Sequence, residues 1–458
     1  MKKPKISIIG LIFFLIGCAD TEQTEELEYD IANLSKREQI MLIVEEMLSI
    51  DILENFSPST YRAQKIAEDI VFLRTEIFNS HGHFNTRRFL LHNERIIDID
   101  AVRHYALAFD DVLINLIENV EQLSDLEIIV EIKRALGVFN DNHTSLLLTG
   151  DNFYYTMFLL NFRWLSDGYY LVSADKAYDH LLHYKLTHVN GYEIEILLYN
   201  FIAMFGAENI TEARLRFNRG LHFPLFHEML GLDDNITFTF SNGQTIRPTA
   251  HTFEHIPEIF GTPFTHTDDN MPWYEITDNN ILYINIPVFF NFHPWVTFQF
   301  SIERALRNNE IRAAILDVRD TPGGDATMPG FVRIVDLLLT ELGHGNVFYF
   351  TNGRSASASL FWAVMVENKG VITMGMPPAQ GLYGFARATN RPITLPYLNL
   401  DLGVGDLYLS LSGSVTRTNA IQDNTFIPMI QIDHTIDDWI NGIDPLYEKV
   451  LYLMNTQG

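Results

Sequence analysis

The sequence contains a single cysteine, Cys18, so it cannot form a disulfide bond within the chain. Cationic residues are also scarce. The 32 lysines and arginines are outnumbered by 58 aspartates and glutamates, and the formal net charge is −26. Proteins that bind nucleic acid need clustered lysines and arginines to contact phosphates, so we expect no nucleic-acid partner. The acidity indicates a soluble surface and does not bear on the fold.

The amino-terminal apolar run, residues 6–16, is too short to span a bilayer as a mature helix. Three lysines precede it, which is typical of a secretory signal peptide. The run ends in L-I-G-C at Leu15–Cys18, which resembles the bacterial lipobox. This resemblance implies cleavage before Cys18, a diacylglyceryl group on its thiol and an acidic tether over residues 19–33. We therefore expect a lipid-anchored, extracytoplasmic protein of the cell envelope. The alternative is a plain signal peptide with an incidental cysteine.

The chain is long enough to contain several domains. Its 458 residues, 47% of them hydrophobic, can bury two or three cores. Residues 34–150 show mostly helical periodicity, residues 151–250 form a small β-rich module, and residues 265–458 alternate strands with helices. This order predicts an α/β fold with an amino-terminal helical region.

Local patterns support this division. Ile40, Ile43 and Met47 form an apolar helical stripe. Ser124, followed three residues later by Glu127, has the spacing of a capping box and predicts the start of a helix.

The middle module shows strand and turn signals. Leu186–Val189 predicts a strand, and residues 236–240 alternate apolar and polar before a hairpin signal at Asn242-Gly243. We interpret this region as a peptide-binding module.

The carboxy-terminal region predicts strands and helices in alternation. The predicted elements before the serine-rich segment are strands at Ile281–Ile286 and Ala313–Val318 and helices at Phe298–Asn308 and Met328–Leu342.

A strand, a turn and a helix follow one another around Ser357. Val347–Thr351 predicts a buried strand, residues 352–353 break the pattern, and a helix is predicted from Ser359 onward. Such a turn lifts a serine above a sheet and places it beside the free N–H groups of a helix N-terminus. Ser355, Ser357 and Ser359 alternate with alanines, which leave room for a substrate. The alternative is an ordinary serine-rich N-cap.

Two further positions could serve acyl-transfer chemistry. Gly323 and Gly324 follow a buried strand and could present N–H groups to an oxyanion, although a simple turn uses glycine as readily. His143 lies between a helix end and an apolar run and could act as a base. A hydrogen-bonded structural histidine would show the same pattern.

A competing metal motif lies farther along. His251–His255 matches the H-x-x-E-H pattern of inverzincins. Pro248 and Pro257 bracket the segment and leave little room for a helix. We therefore interpret these histidines as exposed linker residues and predict no metal site.

Four motifs, in chain order, resemble those of the tail-specific, or C-terminal processing, serine peptidases, including their tricorn-like branch. They are D-N-H-T-S-L at Asp141–Leu146, I-L-D-V-R-D-T-P-G-G at Ile315–Gly324, R-S-A-S-A-S at Arg354–Ser359 and G-I-D-P-L-Y-E-K-V-L at Gly442–Leu451. The resemblance implies a ClpP/crotonase-like α/β core over residues 265–458, a PDZ-like module over residues 151–250, and Ser357 as the nucleophile.

The sequence also departs from the family pattern. Leu382 occupies the place of the lysine used by one branch, and Met376 and Met429 replace other family residues. The missing lysine and the retained histidine segment point to His143 as the base. The acid that would orient it aligns near Gln422, and we predict the adjacent Asp423.

These residues predict a serine endopeptidase that hydrolyses polypeptides through an acyl-enzyme and needs no cofactor. Ser357 attacks, His143 transfers the proton, Asp423 orients the imidazole, and the N–H groups of Ala358 and of Gly323 or Gly324 bind the oxyanion. The main alternative is a catalytically inactive, peptide-binding lipoprotein on the same scaffold.

Overall fold

A computed structural model describes residues 34–85, 98–147, 156–233, 235–252, 271–289, 294–325, 329–386 and 392–456. The predicted signal peptide with Cys18 and the acidic tether of residues 19–33 lie outside these residues. None of the described helices is both long and apolar enough to cross a membrane.

The described elements alternate between helical and sheet-forming segments. The helices are α1 Lys36–Ser49, α2 Tyr61–Ser80, α3 Ile99–Asn119, α4 Asp125–Gly137, α5 Ile194–Phe205, α6 Ile210–Gly220, α7 Pro224–Met229, α8 Pro294–Asn308, α9 Pro329–Leu342, α10 Ala358–Asn368, α11 Ile436–Asn441 and α12 Pro445–Thr456. The strands are β1 Ser145–Leu147, β2 Thr156–Phe158, β3 Leu160–Leu165, β4 Gly168–Ala174, β5 Leu186–Val189, β6 Tyr192–Glu193, β7 Phe238–Phe240, β8 Thr245–Ile246, β9 Ala250–Thr252, β10 Trp273–Ile276, β11 Ile281–Asn285, β12 Ala313–Asp317, β13 Val347–Thr351, β14 Ile372–Gly375, β15 Tyr383–Ala386, β16 Ile393–Thr394, β17 Asp401–Gly403, β18 Leu407–Ser410, β19 Ile421–Gln422, β20 Thr425–Phe426 and β21 Ile430–Gln431. Short 3-10 helices cover Lys176–Leu181 and Ser412–Ser414.

The chain divides into two compact units. The first is drawn from residues 1–139, 143–148 and 385–408, and the second from residues 140–142, 149–384 and 409–458. The sequence analysis placed 385–408 within the carboxy-terminal core. These residues instead cluster with the first unit, because their strands β16 and β17 join β1 in an antiparallel sheet.

The first unit contains α1–α4 beside this small sheet. The predicted helical stripe is present, since Ile40, Ile43 and Met47 are buried. The predicted capping box is also confirmed. The Ser124 hydroxyl accepts a hydrogen bond from the Glu127 N–H at 3.3 Å, and the Glu127 carboxylate accepts one from the Ser124 N–H at 2.7 Å.

The second unit begins with the β-rich module. Its four-stranded sheet has the order β6-β5-β7-β8, and the predicted strand Leu186–Val189 and the predicted hairpin after β7 are both present. The strands at the two ends of the module, β2 and β9, pair antiparallel.

The structure describes the first residues of the competing metal motif, His251 and Thr252, which lie in β9. His251 lies in β9 opposite Met157 and is exposed, so it is not on the helix that an inverzincin site requires. The linker interpretation was therefore wrong for this residue. Residues 253–255 of the motif lie outside the described residues.

The remainder of the second unit is a three-layer α/β structure. Its six-stranded sheet has the order β10-β11-β12-β13-β14-β21. The strands β11, β12, β13, β14 and β21 are parallel to one another. Every residue of β12 and β13 is buried. Helices α8, α9 and α10 cover one face through residues such as Ile302, Ile334 and Trp362, and α12 covers the other through Leu446 and Val450. This architecture confirms the expected α/β class.

Candidate active site

Ser357 lies in the turn between β13 and α10, at the carboxyl end of a parallel strand, where ligands of open α/β sheets bind. Its backbone has φ 53° and ψ −116°. A positive φ is uncommon for a residue with a side chain, and such strain is concentrated at functional sites. The small neighbours Ala356 and Ala358 leave this sharp turn uncrowded. The geometry is that of a serine presented by a strand-to-helix elbow.

The three alternating serines have different surroundings. The Ser355 hydroxyl donates to the Val318 carbonyl at 2.9 Å, and the Ser359 hydroxyl donates to the Thr321 carbonyl at 3.1 Å. Both serines are fully buried. Ser357 is partly exposed, and its hydroxyl forms no hydrogen bond with any residue that the structure describes. Of the three serines, Ser357 is therefore the one whose hydroxyl is available to a substrate.

Gly323 lies directly against the nucleophile turn. It has φ 110°, and a Cβ atom at this position would be 2.5 Å from the Cβ of Ser357 and 2.9 Å from the nitrogen of Ala358. Any side chain here would clash, so the close approach requires glycine. Ala358 is the first residue of α10, and N–H groups in the first turn of a helix have no intrahelical acceptor. The Ala358 N–H is thus available to bind a developing oxyanion.

Gly324 is fixed by pairing with Phe289. The Phe289 N–H donates to the Gly323 carbonyl at 2.8 Å, and the Asp325 N–H donates to the Phe289 carbonyl at 2.7 Å. A Cβ atom on Gly324 would be 2.0 Å from the Phe289 carbonyl oxygen. Because the N–H and C=O groups of a trans peptide point in opposite directions, this pairing directs the Gly324 N–H away from Phe289. The structure therefore brings Gly323, Gly324 and Ala358 together around or beside Ser357.

Gln380 contacts the nucleophile and was not identified by sequence reasoning. Its side-chain oxygen accepts a short hydrogen bond from the Ser357 N–H. Its own carbonyl accepts a hydrogen bond from the Asn209 side chain at 2.9 Å. The Ser357 N–H is thus occupied, which leaves the N–H of Ala358 as the donor that follows the nucleophile. No local pattern indicates this role, because the contact depends on how distant segments pack.

Glu208 is a second residue that sequence reasoning missed. Its buried carboxylate accepts hydrogen bonds from the N–H groups of Asn142, at 3.0 Å, and of Gly381, at 2.8 Å. Burial, together with the charges of Asp141 and Glu212, raises the pKa of Glu208 well above its usual value. Asn142 precedes His143 in the chain, and Gly381 follows Gln380. Glu208 therefore ties the segment before the candidate base to the loop that holds the nucleophile turn.

Two candidate residues remain, His143 and Asp423. His143 precedes β1 and belongs to the first compact unit, whereas Ser357 belongs to the second. Asp423 and Asn424 form the two-residue turn between β19 and β20, with φ 45° and 60°. Both central residues of a type I′ turn have positive φ, and aspartate and asparagine are favoured there. Asp423 and Gln422 are exposed, and the Asp423 carboxylate forms no hydrogen bond with a described residue.

Leu382 occupies the place where one branch of the resembled family has a lysine. Leu382 is buried in the core that packs α8, α9 and α10 against the sheet. Its backbone N–H donates to the Asn424 carbonyl. An apolar residue fills this place, so the structure provides no lysine there to act as a base.

Comparisons with known proteins show similarity at the level of structure. No protein-family model matches the sequence, and neither does any curated protein. The structure of mature CPAF complexed with lactacystin matches with a TM-score of 0.53 at 14% identity, covering 87% of this chain and 100% of that one. A second structure of mature CPAF matches with a TM-score of 0.53 at 12% identity, over 87% and 99% of the two chains. The photosystem II D1 C-terminal processing protease matches with a TM-score of 0.37 at 11% identity, over 82% and 94%. The chain therefore has a mixed α/β fold similar to that of CPAF.

Proposed function

We propose that the protein is a serine endopeptidase in which Ser357 is the nucleophile. The observation that carries this proposal is the strained turn at Ser357, with φ 53°, packed against Gly323 so closely that no side chain fits between them. A structural serine N-cap has no need of either feature, since capping residues ordinarily adopt extended backbone angles.

The chemistry follows the acyl-enzyme route. The Ser357 oxygen attacks the carbonyl carbon of the scissile peptide and transfers its proton to the base, a role that the family resemblance gives to His143. The Ala358 N–H, with that of Gly323 or Gly324, stabilises the negative oxygen of the tetrahedral intermediate. The C–N bond then breaks as the base returns the proton to the leaving amine. Water then attacks the acyl carbon and gives a proton to the base. The bond to the Ser357 oxygen breaks as the base returns that proton to it, and the carboxylic acid product is released.

The substrate and the setting are part of the proposal. Polypeptides would dock on the β-rich module of residues 151–250, acting as a PDZ-like domain beside a ClpP/crotonase-like core. A lipid on Cys18 would hold the protein at the cell envelope. Asp423 is the acid that the sequence analysis assigned to orient His143, and its exposed turn makes it the weakest member of the set.

A proteolysis assay tests the proposal. The full chain is incubated with an unfolded protein substrate, in parallel with Ser357→Ala, His143→Ala and the control Ser414→Ala, which changes an exposed serine. We expect cleavage by the wild type and the control and loss of cleavage in the other two. Equal cleavage by all four proteins would reject the proposal.

A second function from another class is favoured by a specific observation. The buried Leu382 and the exposed Asp423 both depart from an active peptidase. A catalytically inactive, peptide-binding protein on the same scaffold would keep both features. Peptide binding without cleavage by the wild type would support this alternative.

A further inference from the structure

A cavity of about 390 Å³ lies in the second unit, next to the turn that carries Ser357. Its walls come from β3, from α6 with the residues after it, from residues 352–354 and from residues 433–439. This volume falls within the range of small-molecule sites and is several times what one small inorganic ion needs.

Four arginines line this cavity, in a chain whose net charge is −26. They are Arg163, Arg214, Arg219 and Arg354. Arg214 and Arg219 lie on α6, whereas Arg163 comes from β3 and Arg354 from the turn after β13. Folding gathers these cations into one concave surface.

Two of these arginines are held by aromatic rings. The guanidinium carbon of Arg163 lies 5.0 Å from the ring centroid of Trp439, and that of Arg214 lies 4.0 Å from the ring centroid of Trp164. A ring face orients a guanidinium group without using its N–H donors. The Nη1 of Arg163 and the Nε of Arg214 are buried and form no hydrogen bond with any described residue. Because these two atoms have no accessible surface, a ligand in the cavity would bind the other N–H groups of the two arginines.

Acidic groups near the cavity do not balance the arginines. Asp320 lies 3.7 Å from Arg163 and 3.4 Å from Arg354. Burial opposes its ionisation, yet these arginines hold the pKa of Asp320 below its usual value. Arg214 and Arg219 form no ion pair with a carboxylate in the described part of the chain.

The remaining titratable groups of the wall do not change this balance. Burial raises the pKa of Asp433 to about 7, so this carboxyl is partly neutral at physiological pH. Burial also lowers the pKa values of His222 and His434 to about 4, which leaves both rings neutral. The cavity is therefore positive.

We propose that this cavity binds a small organic anion that carries at least two acidic groups, which are carboxylates or phosphates. Two groups are required because the arginines line the cavity from separate segments, β3, α6 and residues 352–354, so one acidic group would leave most of them without a counter-charge. An organic body is required because a single inorganic ion would leave most of the volume empty, while Phe162 and Trp164 offer apolar contact. The proposal does not rest on the proposed peptidase activity.

Isothermal titration calorimetry on the full chain, at about 150 mM salt to screen surface charge, tests the proposal. The probes are citrate, fructose 1,6-bisphosphate, inorganic phosphate, uncharged triethyl citrate and a tetraglutamate peptide. We expect citrate or the bisphosphate to bind at one site with a Kd below about 1 mM, phosphate to bind at least about tenfold more weakly, and triethyl citrate not to bind. The stronger of the first two probes identifies the acidic groups as carboxylates or phosphates.

Variants locate the site. We expect Arg214→Gln to weaken binding about tenfold or more, because it removes a charged donor, and the control Arg307→Gln, whose side chain is 77% exposed, to leave binding unchanged. If Arg214→Gln does not fold, as judged by its Tm, Arg214→Lys decides the question, because it keeps the charge and loses the planar donor edge. Three results would overturn the proposal: no binding of either polyanion, binding that the Arg214 variant leaves unchanged, or binding of tetraglutamate alone.

Discussion

The Ser357 site and the arginine cavity are both built on the turn after β13, yet they offer positive potential in different ways. At Ser357 the donors are backbone N–H groups, brought close by Gly323. In the cavity the donors are guanidinium groups supported by Trp164 and Trp439. Fixed backbone dipoles suit a negative charge that exists only during a reaction, whereas full cations suit a ligand that is already charged.

Ser355 separates these two parts of the turn. Its hydroxyl donates to the Val318 carbonyl and accepts from the Asn352 N–H at 3.0 Å. Residues 352–354 before it line the cavity, and Ala356 and Ser357 after it face Gly323. Because this anchor is fully buried, a change in one part should leave the other intact.

The largest expected effect comes from Ser357→Ala. Removing the nucleophile should lower kcat by about 10⁴-fold or more, since residual activity would rest on the oxyanion donors and binding alone. Citrate affinity should stay at its wild-type value. Kinetics on a peptide substrate measure the loss of kcat, and calorimetry on the same preparation measures the citrate affinity. A parallel loss of citrate binding would show that the two sites are coupled.

Gly323→Ala should have the next largest effect. The added methyl group would lie 2.5 Å from the Cβ of Ser357 and 2.9 Å from the Ala358 nitrogen, so the donor must shift. We expect kcat to fall by about 10²-fold and the free energy of unfolding by about 1–3 kcal/mol. Gly413→Ala is the matched control, because an added Cβ there meets no atom within 4 Å. A Gly323 variant as active as this control would contradict the assigned oxyanion geometry.

Glu208→Gln should change the pH dependence of stability. The raised pKa of Glu208 means that the folded protein keeps a proton that the unfolded chain has lost, so unfolding free energy falls as pH rises above the usual glutamate range. The variant should lack this part of the decrease, and kcat should fall because the loop holding Gln380 loses an anchor. Denaturant titrations at several pH values, with the exposed control Glu310→Gln, measure the difference. If the free energy of unfolding depends on pH in the same way for the wild type, Glu208→Gln and Glu310→Gln, the raised pKa assigned to Glu208 is wrong.

Asp433 should make anion binding in the cavity depend on pH. Between pH 6 and 8 this group, with a pKa of about 7, gains a negative charge, while Arg163 and Arg214 stay charged and His434 stays neutral. Binding of ethane-1,2-disulfonate, whose own charge is constant in this range, should therefore weaken as pH rises. Asp433→Asn should bind equally at both ends of the range. The account fails here if the variant keeps the wild-type pH dependence.

Asp423→Asn should have the smallest effect. Asparagine suits a type I′ turn as well as aspartate does, and the side chain is exposed, so we expect less than about a threefold change in kcat. A loss of about 10⁴-fold would instead identify Asp423 as the acid that orients the base. Kinetic measurement of this one variant separates the two interpretations.

Local patterns predicted much of the second unit from sequence. The strand Val347–Thr351 and the start of α10 are near their predicted positions, because apolar runs and turn residues act over a few positions. Helix α8 begins earlier than predicted, at Pro294, since proline is favoured in the first helical turn. The Asp423-Asn424 dipeptide is itself a turn signal, and it indicates the exposed turn that the structure shows.

Long-range contacts could not be predicted in this way. The pairing of β17 with β1 joins residues separated by most of the chain. Glu208 bonds two N–H groups, of Asn142 and Gly381, that have no sequence signal in common. Folding likewise brings Arg163 and Arg354 to the two arginines of α6, Arg214 and Arg219, so the acidic composition gave no indication of a positive site.

Covalent labelling tests the central claim most directly. A fluorophosphonate reacts with an activated serine hydroxyl, and intact-mass spectrometry followed by peptide mapping locates the adduct. We predict that the wild-type chain gains one adduct, on Ser357, and that Ser357→Ala gains none. A wild-type chain that stays unmodified, or that carries its adduct on a different serine, would contradict the account.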